Sequence, residues 1–459
     1  MSVLRASFLP FMPFLHAVVI LLVLLSPSLN AAPVPNTLAW NTNRNRVTAD
    51  ISGERLMDVL RRVAASTGWQ VFVEPGTEHP VSAKFADISP GEALRLLLGD
   101  VNFALIPRTN GAHKLLVFRT GSQNATQQVR PEPAGGKKIP NELVVRLKPG
   151  ANIDEVAKLL GAKVVGRIDK LNAYRLEFAD EEAANTARET LANNPEVGSI
   201  EDNYLVGRTP TQLGVQGGAP SLQLQMRPPA DSGRVIIGLI DTAVQPLGNN
   251  LDQFLLKQIS VAGPSQLDRA FPSHGTAMAE TMLRSLQEIT GGSTSVQILP
   301  IDVYGSGEST STFSVAQGIV AAVNGGARVI NLSLGSEADT PFLREVVRSA
   351  SQANVLLISA AGNIPVTTPF YPAAYPEVRA VTAIEQGQIA PYASRGNFVS
   401  LGGPSMNFIE FGSQSYNVQG TSVSSAYVSG AAAGFMEMHR ANSTQAGSFL
   451  QNNFGLGGR

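Results

Sequence analysis

Four polar residues in the C-terminal half of the chain have the types and placement to do chemistry together: Asp241, His274, Asn363 and Ser422. Serine is a weak nucleophile and needs a neighbouring base. Histidine is the natural base, because its pKa lies near working pH. A carboxylate behind the imidazole fixes its tautomer and stabilises its cation. An amide donor stabilises a developing oxyanion, by about 3 kcal/mol. Singly, each residue has an ordinary use: a helix cap for Ser422, a strand-end turn for Asp241, a structural histidine, a turn asparagine. After residue 232 the chain has only His274 and His439, and His439 stands beside Arg440 at the end of an apolar helical run. A serine–histidine mechanism therefore has one base available, His274.

The elements that must position these residues are legible. Ser422 lies in Gly420-Thr421-Ser422-Val423-Ser424-Ser425-Ala426-Tyr427-Val428-Ser429-Gly430, which reads as a tight turn opening a buried helix. A hydroxyl there sits at the positive end of the helix dipole. From Arg234 onward, apolar runs alternate with amphipathic ones. Residues 235–240 form a near-continuous apolar strand, as in parallel sheets buried on both faces, and Asp241 ends it. Helices are expected over 276–286, 312–324 and 341–353, and strands over 296–303, 329–334, 355–360 and 378–384. The expected fold is α/β, a parallel sheet with helices on both faces and its site at the C-terminal strand ends.

These residues resemble the motifs of the subtilases, the subtilisin-like serine proteases. Ile240-Asp241-Thr242, His274-Gly275-Thr276, Ala361-Gly362-Asn363 and Gly420-Thr421-Ser422 match that family's aspartate, histidine, oxyanion and nucleophile motifs, in the order found in subtilisin. The resemblance spans about residues 234–440. It implies a Ser-His-Asp triad of Ser422, His274 and Asp241, with Asn363 as oxyanion donor. It also implies that Ser333-Leu334-Gly335 pairs with extended substrate. Three departures stand out. Val423-Ser424-Ser425-Ala426-Tyr427 replaces the family's Met-Ala-Ala-Pro-His; Ala243 replaces a glycine; Glu280 replaces a small residue and either perturbs His274 or faces solvent.

Upstream, residues 139–206 follow the order β-α-β-β-α-β, with Val156, Leu159 and Leu160 as the inward face of the first helix. In this position the module resembles the inhibitory propeptide of subtilases, whose last strand, here 203–206, lies in the substrate cleft. Residues 207–232 read as a flexible linker holding the maturation cut, and 233–445 as the catalytic domain. Residues 44–120 form a first small α+β module, with a helix expected from the spacing of Val47, Ile51, Leu56, Val59, Leu60 and Val63, and a capping box at Ser89 and Glu92. By pattern it resembles the secretin and TonB short N-terminal modules of double-membraned bacteria, which implies docking to an envelope protein. Its alternative is a spacer. Residues 121–138, rich in Pro and Gly, read as a linker. His79 and His113 are isolated.

The N-terminus, with Arg5 before an apolar run at 14–25 and small residues to Ala31, reads as a signal peptide over 1–31; a retained anchor is the alternative. There are no cysteines, which excludes disulfides, thiol nucleophiles and thiolate metal sites. A net charge of −1 over 459 residues gives no electrostatic case for nucleic acid. The expected protein is thus an exported serine endopeptidase made as a zymogen, periplasmic, outer-membrane-associated or secreted. Its partners are protein or peptide substrates and its own propeptide-like domain. No redox or organic cofactor is implied; calcium is common in the family, but no acidic loop places it. Two alternatives stay open: a pseudo-protease that binds a partner in its cleft, and a protease whose main reaction is self-processing.

Overall fold

The computed structural model describes residues 37–42, 44–107, 113–129, 136–208, 212–216, 222–229, 233–248 and 250–456. The expected signal segment lies outside them. The first module contains β1 (Thr37–Asn41), β2 (Arg46–Arg55), α1 (Leu56–Thr67), β3 (Gln70–Val73), β4 (Pro80–Ile88), α2 (Pro90–Leu98), β5 (Asn102–Ile106), β6 (Lys114–Phe118) and β7 (Gln127–Val129). They build two sheets, β1-β2-β4 and β5-β6-β3-β7. Val47 and Ile51, expected on a helix, lie on β2. With Ala49 they are buried at every second position, the period of a strand, and the helical spacing begins only at Leu56. The Ser89–Glu92 capping box forms at the start of α2. The segment 121–138 is not all linker: β7 pairs with β3 and buries Val129, so the module extends to that residue.

The second module contains β8 (Lys138–Leu147), α3 (Ile153–Leu160), β9 (Lys163–Ile168), β10 (Ala173–Glu177), α4 (Glu181–Ala192) and β11 (Val197–Arg208), in the expected β-α-β-β-α-β order. Its strands run β11-β8-β10-β9. Helix α3 buries Ile153, Val156 and Ala157, whereas Leu159 is 74% exposed. Ile153, Val156 and Ala157 follow the i, i+3, i+4 stripe, and Leu159 falls off it.

The segment after β11 holds β12 (Gln212–Gln216) and β13 (Gln225–Met226), so described parts of 207–232 are paired in sheets rather than free. Leu222 and Leu224 are buried in the core that follows. That third domain comprises β14 (Ile236–Asp241), β15 (Ile259–Ser260), α5 (His274–Thr290), β16 (Ser293–Thr294), β17 (Gln297–Asp302), β18 (Ser309–Ser311), α6 (Thr312–Asn324), β19 (Val329–Leu332), β20 (Leu334–Gly335), α7 (Pro341–Gln352), β21 (Leu356–Ala360), β22 (Val378–Glu385), β23 (Gln388–Ile389), β24 (Val399–Pro404), β25 (Met406–Phe411), β26 (Gln414–Gln419), α8 (Thr421–His439) and α9 (Ser443–Phe454). The main sheet runs β15-β17-β14-β19-β21-β22-β23, with β24 also on β22, and every pairing except β22–β23 is parallel. Helices α5, α8 and α9 pack on one face and α6 and α7 on the other. Helix α9 buries Ala446 and Leu450 in this core, so the domain continues past residue 445.

Candidate active site

Strand β14 delivers Asp241 to the C-terminal edge of the sheet, and α5 begins at His274 beside it. The two meet because the β14 turn and the α5 start are bonded to each other at several points. Ser273 caps α5 by accepting from Thr276 N, and donates its hydroxyl to the Ala243 carbonyl at 2.6 Å. The Gln245 side-chain oxygen accepts from Ser273 N at 2.6 Å and from Thr276 Oγ1 at 2.9 Å. Gly275 N donates to Thr242 Oγ1. Only a glycine fits there, since a Cβ on residue 275 would stand 2.2 Å from the Thr242 carbonyl oxygen. In this frame His274 Nδ1 lies 2.7 Å from Asp241 Oδ1 and 2.9 Å from Oδ2. Asp241 is 1% exposed, and its Oδ1 also accepts the Thr242 N–H. A carboxylate only accepts, so Nδ1 is the donor of this pair and Nε2 points away from it. Nε2 is buried with no hydrogen-bond partner.

Ser422 is the second residue of α8 and is fully buried. The turn before it rests on Gly420, whose φ of 144° suits glycine. Helix α8 lies against α5 at close range, because Gly430 faces Met282; a Cβ at 430 would come 2.5 Å from the Met282 carbonyl oxygen. The Ser422 hydroxyl donates to the Ser333 carbonyl at 3.5 Å. Asn363 follows β21, and its Oδ1 accepts from both Thr421 N and Thr421 Oγ1 at 2.8 Å, which fixes the amide beside the start of α8. The structure thus joins Asp241 to His274, Asn363 to Thr421, and Ser422 to Ser333. In this state Ser422 bonds Ser333 rather than His274.

The cleft beside these residues holds a strand of the second module. β11 leaves its own sheet and continues between β18 and β20: Leu205, Val206 and Gly207 pair with Ser311, Thr310 and Ser309, and Gly207 and Arg208 pair with Gly335 and Leu334. Of Ser333, Leu334 and Gly335, the residues expected to pair with substrate, Leu334 and Gly335 pair with this strand, and the Ser333 hydroxyl lies 3.1 Å from Ser425 Oγ. The same strand caps two helices of the third domain. Asn203 Oδ1 accepts from Phe313 N on α6, and Glu201 Oε2 accepts from Phe342 N on α7, both at 3.1 Å. A cavity of about 290 Å³ opens where Gly207 and Arg208 meet Gly335, Asn363 and Phe370. Farther along, β12 pairs antiparallel with β26, with Gln212 opposite Gln419 next to Gly420.

The chain matches the subtilase family over residues 232–448 and the fervidolysin N-terminal prodomain over 124–203. It is 30% identical over 319 residues to the thermophilic serine proteinase of Bacillus sp. (strain AK1), covering 65% of this chain and 78% of that protein. The chain belongs to the subtilase family. It is 33% identical over 186 residues to the thermostable alkaline protease of Halalkalibacterium halodurans, covering 38% of this chain and 52% of that one. With subtilisin Savinase of Lederbergia lenta the figures are 34% over 165 residues, 35% and 61%. The crystal structure of fervidolysin from Fervidobacterium pennivorans superposes with a TM-score of 0.55 at 19% identity, over 70% of this chain and 58% of that one, a likeness of fold. This subtilase is accordingly a subtilisin-like serine protease with a propeptide-like domain. Residues 44–120 lie outside both matched ranges.

The departures from the family motifs are absorbed locally. Ala243 does not adopt a positive φ, so it carries no left-handed strain. The extra hydroxyls after Ser422 bond back to the backbone, Ser424 to the Pro404 carbonyl and Ser425 to the Ser422 carbonyl. Glu280 neither faces solvent nor bonds His274. It is 1% exposed, accepts from Arg284 Nη2 at 2.9 Å and Glu410 N at 2.8 Å, and burial pushes its carboxyl up to about 7. The sequence reading missed the Gln245–Ser273–Thr276 frame, the β18 wall of the cleft and the β12–β26 pairing. Ser273 three residues before Thr276 was a visible capping signal; the short Ser/Thr-rich β18 carried none.

Proposed function

We propose that this subtilase is an exported endopeptidase made as a zymogen, with Asp241, His274 and Ser422 as its triad and Asn363 as its oxyanion donor. The observation that carries the reading is the His274–Asp241 pair, which leaves the buried Nε2 without a hydrogen-bond partner and in place to serve as the base. Rotation of the Ser422 side chain from Ser333 toward Nε2 starts the reaction. Oγ attacks the scissile carbonyl and Nε2 takes its proton. The oxyanion receives the Asn363 Nδ2 amide, whose orientation is fixed by the bonds to Oδ1, together with the Ser422 N–H. His274 then protonates the leaving amine, the carbon–nitrogen bond breaks, and water attacks the acyl-enzyme by the same proton route.

In the zymogen, β11 fills the cleft up to Arg208 and the chain resumes on β26 at Gln212. These strands flank the Ser422 turn, which supports a self-processing cut within 207–232. The apolar run at 14–25 supports export, and the module of residues 37–129 is read as a docking unit for an envelope protein.

The Ser422–Ser333 bond favours a second reading, a cleft that binds without cutting. A serine-reactive phosphonate separates the two. Labelling of the wild type, with casein hydrolysis lost in Ser422→Ala, is expected. A folded wild type that takes no label and hydrolyses nothing overturns the protease reading.

A further inference from the structure

The strand in the cleft carries a charged side chain into a defined setting. The guanidinium of Arg208 lies over the ring of Tyr304, 5.9 Å from its centroid, and Nη2 stands 2.9 Å from Glu308 Oε2. Tyr304 is 4% exposed, so its ring is a fixed wall. The turn that carries it is pinned by Asp302, whose Oδ1 accepts from both Tyr304 N and Gly305 N at 2.9 Å. Burial, and after it the charge of Asp241, holds the Tyr304 phenol well above its usual range. An aromatic face and a carboxylate at the mouth make one kind of side chain welcome: a cation. The backbone of the same residue is fixed by its pairing with Leu334, so the side chain enters at a defined register.

We infer that Tyr304 and Glu308 form a subsite for an arginine or lysine side chain, at the substrate residue that pairs with Leu334. The inference rests on reading this cleft as the substrate cleft. It makes the preferred substrates polypeptides with a basic residue at that position, arginine ahead of lysine because a planar guanidinium stacks on the ring. Glu308 is almost fully solvated, with its side chain 96% exposed, so its share of the preference is modest, about two- to fivefold, and falls with salt.

The test uses the full chain with Ser422→Ala, which stays uncut, and reads amide exchange over residues 205–208. Arg208→Gln and Glu308→Gln are each expected to raise exchange about two- to fivefold. The double variant should be no faster than the faster single one, and Arg208→Lys, which keeps the cation, should retain most of the protection. Additive effects, or no effect of either single substitution, overturn the subsite. In the chain with Ser422 intact, the same substitutions should slow the appearance of the processed N-terminus by a similar factor. If no version of the chain is processed, the protease reading fails while the exchange data still decide the subsite.

Discussion

The side-chain oxygen of Asn203 accepts the backbone N–H of Phe313 at 3.1 Å, so a residue of the propeptide-like domain satisfies the start of α6 in the catalytic domain. The first N–H groups of a helix have no partner within it. Asn203 is fully buried and also donates to Glu142 Oε2 and accepts from Thr312 Oγ1. Asn203→Ala removes all three bonds and is expected to weaken docking by about 1–2 kcal/mol, roughly five- to thirtyfold in dissociation constant. Titrating the cleaved domain against the mature enzyme measures it. An unchanged constant rules out the cap as an anchor.

Glu201 makes the parallel contact to Phe342 N, and its carboxyl is raised. Burial is the main cause, opposed by the Phe342 N–H and by Arg146. A raised carboxyl favours docking fully below the ordinary carboxylate range, and this contribution is lost as pH rises through the raised value. Docking should therefore loosen as pH rises out of the acid range, and Glu201→Gln should flatten that part of the profile. Dissociation constants at several pH values check it; an identical slope in the variant refutes it.

The contrast between these contacts and the proposed triad shows what the sequence could disclose. Asp241, His274, Asn363 and Ser422 stand at element ends that long apolar runs announce, so both their fold positions and their motif order could be read. Glu201 and Asn203 sit on a strand whose alternation reports which side is buried but not what buries it. β18 and β20 are short, and their partner is a strand far away in sequence, so hydrophobic period gives no sign of them. The same limit explains Val47 and Ile51: spacing of four suits a helix face and a strand face alike, and only the intervening Ala49 decides it. Glu280 was ambiguous because its partners, Arg284 and Glu410 N, come from different elements.

Gly430 sets the distance between α5, which begins at His274, and α8, which carries Ser422. A Cβ there meets the Met282 carbonyl oxygen at 2.5 Å and Ser285 Cβ at 2.9 Å, backbone and a fully buried side chain that have little room to yield. Gly430→Ala is expected to cost about 1–3 kcal/mol of stability through overpacking and to lower kcat as Ser422 and His274 separate. Thermal unfolding and peptide hydrolysis give the two readouts. Wild-type values in both would mean that α5 and α8 are not in this contact.

Asn363→Ala separates oxyanion stabilisation from binding. Its Oδ1 bonds hold the amide beside Thr421. Loss of the Nδ2 donor should lower kcat about 10²- to 10³-fold while KM changes little, since the bond strengthens only as the oxyanion forms. A rise in KM at constant kcat would assign Asn363 to ground-state binding instead.

The last prediction concerns Glu280, whose carboxyl burial raises from 4.5 to about 7 against the pull of Arg284 and the Glu410 N–H. Below about pH 4.5 the carboxyl is protonated in folded and unfolded chains alike and imposes no penalty. Between about 4.5 and 7 the unfolded chain gives up the proton while the folded one keeps it, so stability falls as pH rises. Above 7 the full penalty stands, at most about 3 kcal/mol at 1.36 kcal/mol per pKa unit. Gln mimics the protonated form, so Glu280→Gln should match the parent near pH 4.5 and exceed it at pH 8. The measurement is thermal unfolding across that range in a Ser422→Ala background, which prevents self-digestion. A variant less stable than its parent at pH 8 would show instead that the ionised Glu280–Arg284 pair is a net stabiliser of the α5–β25 contact.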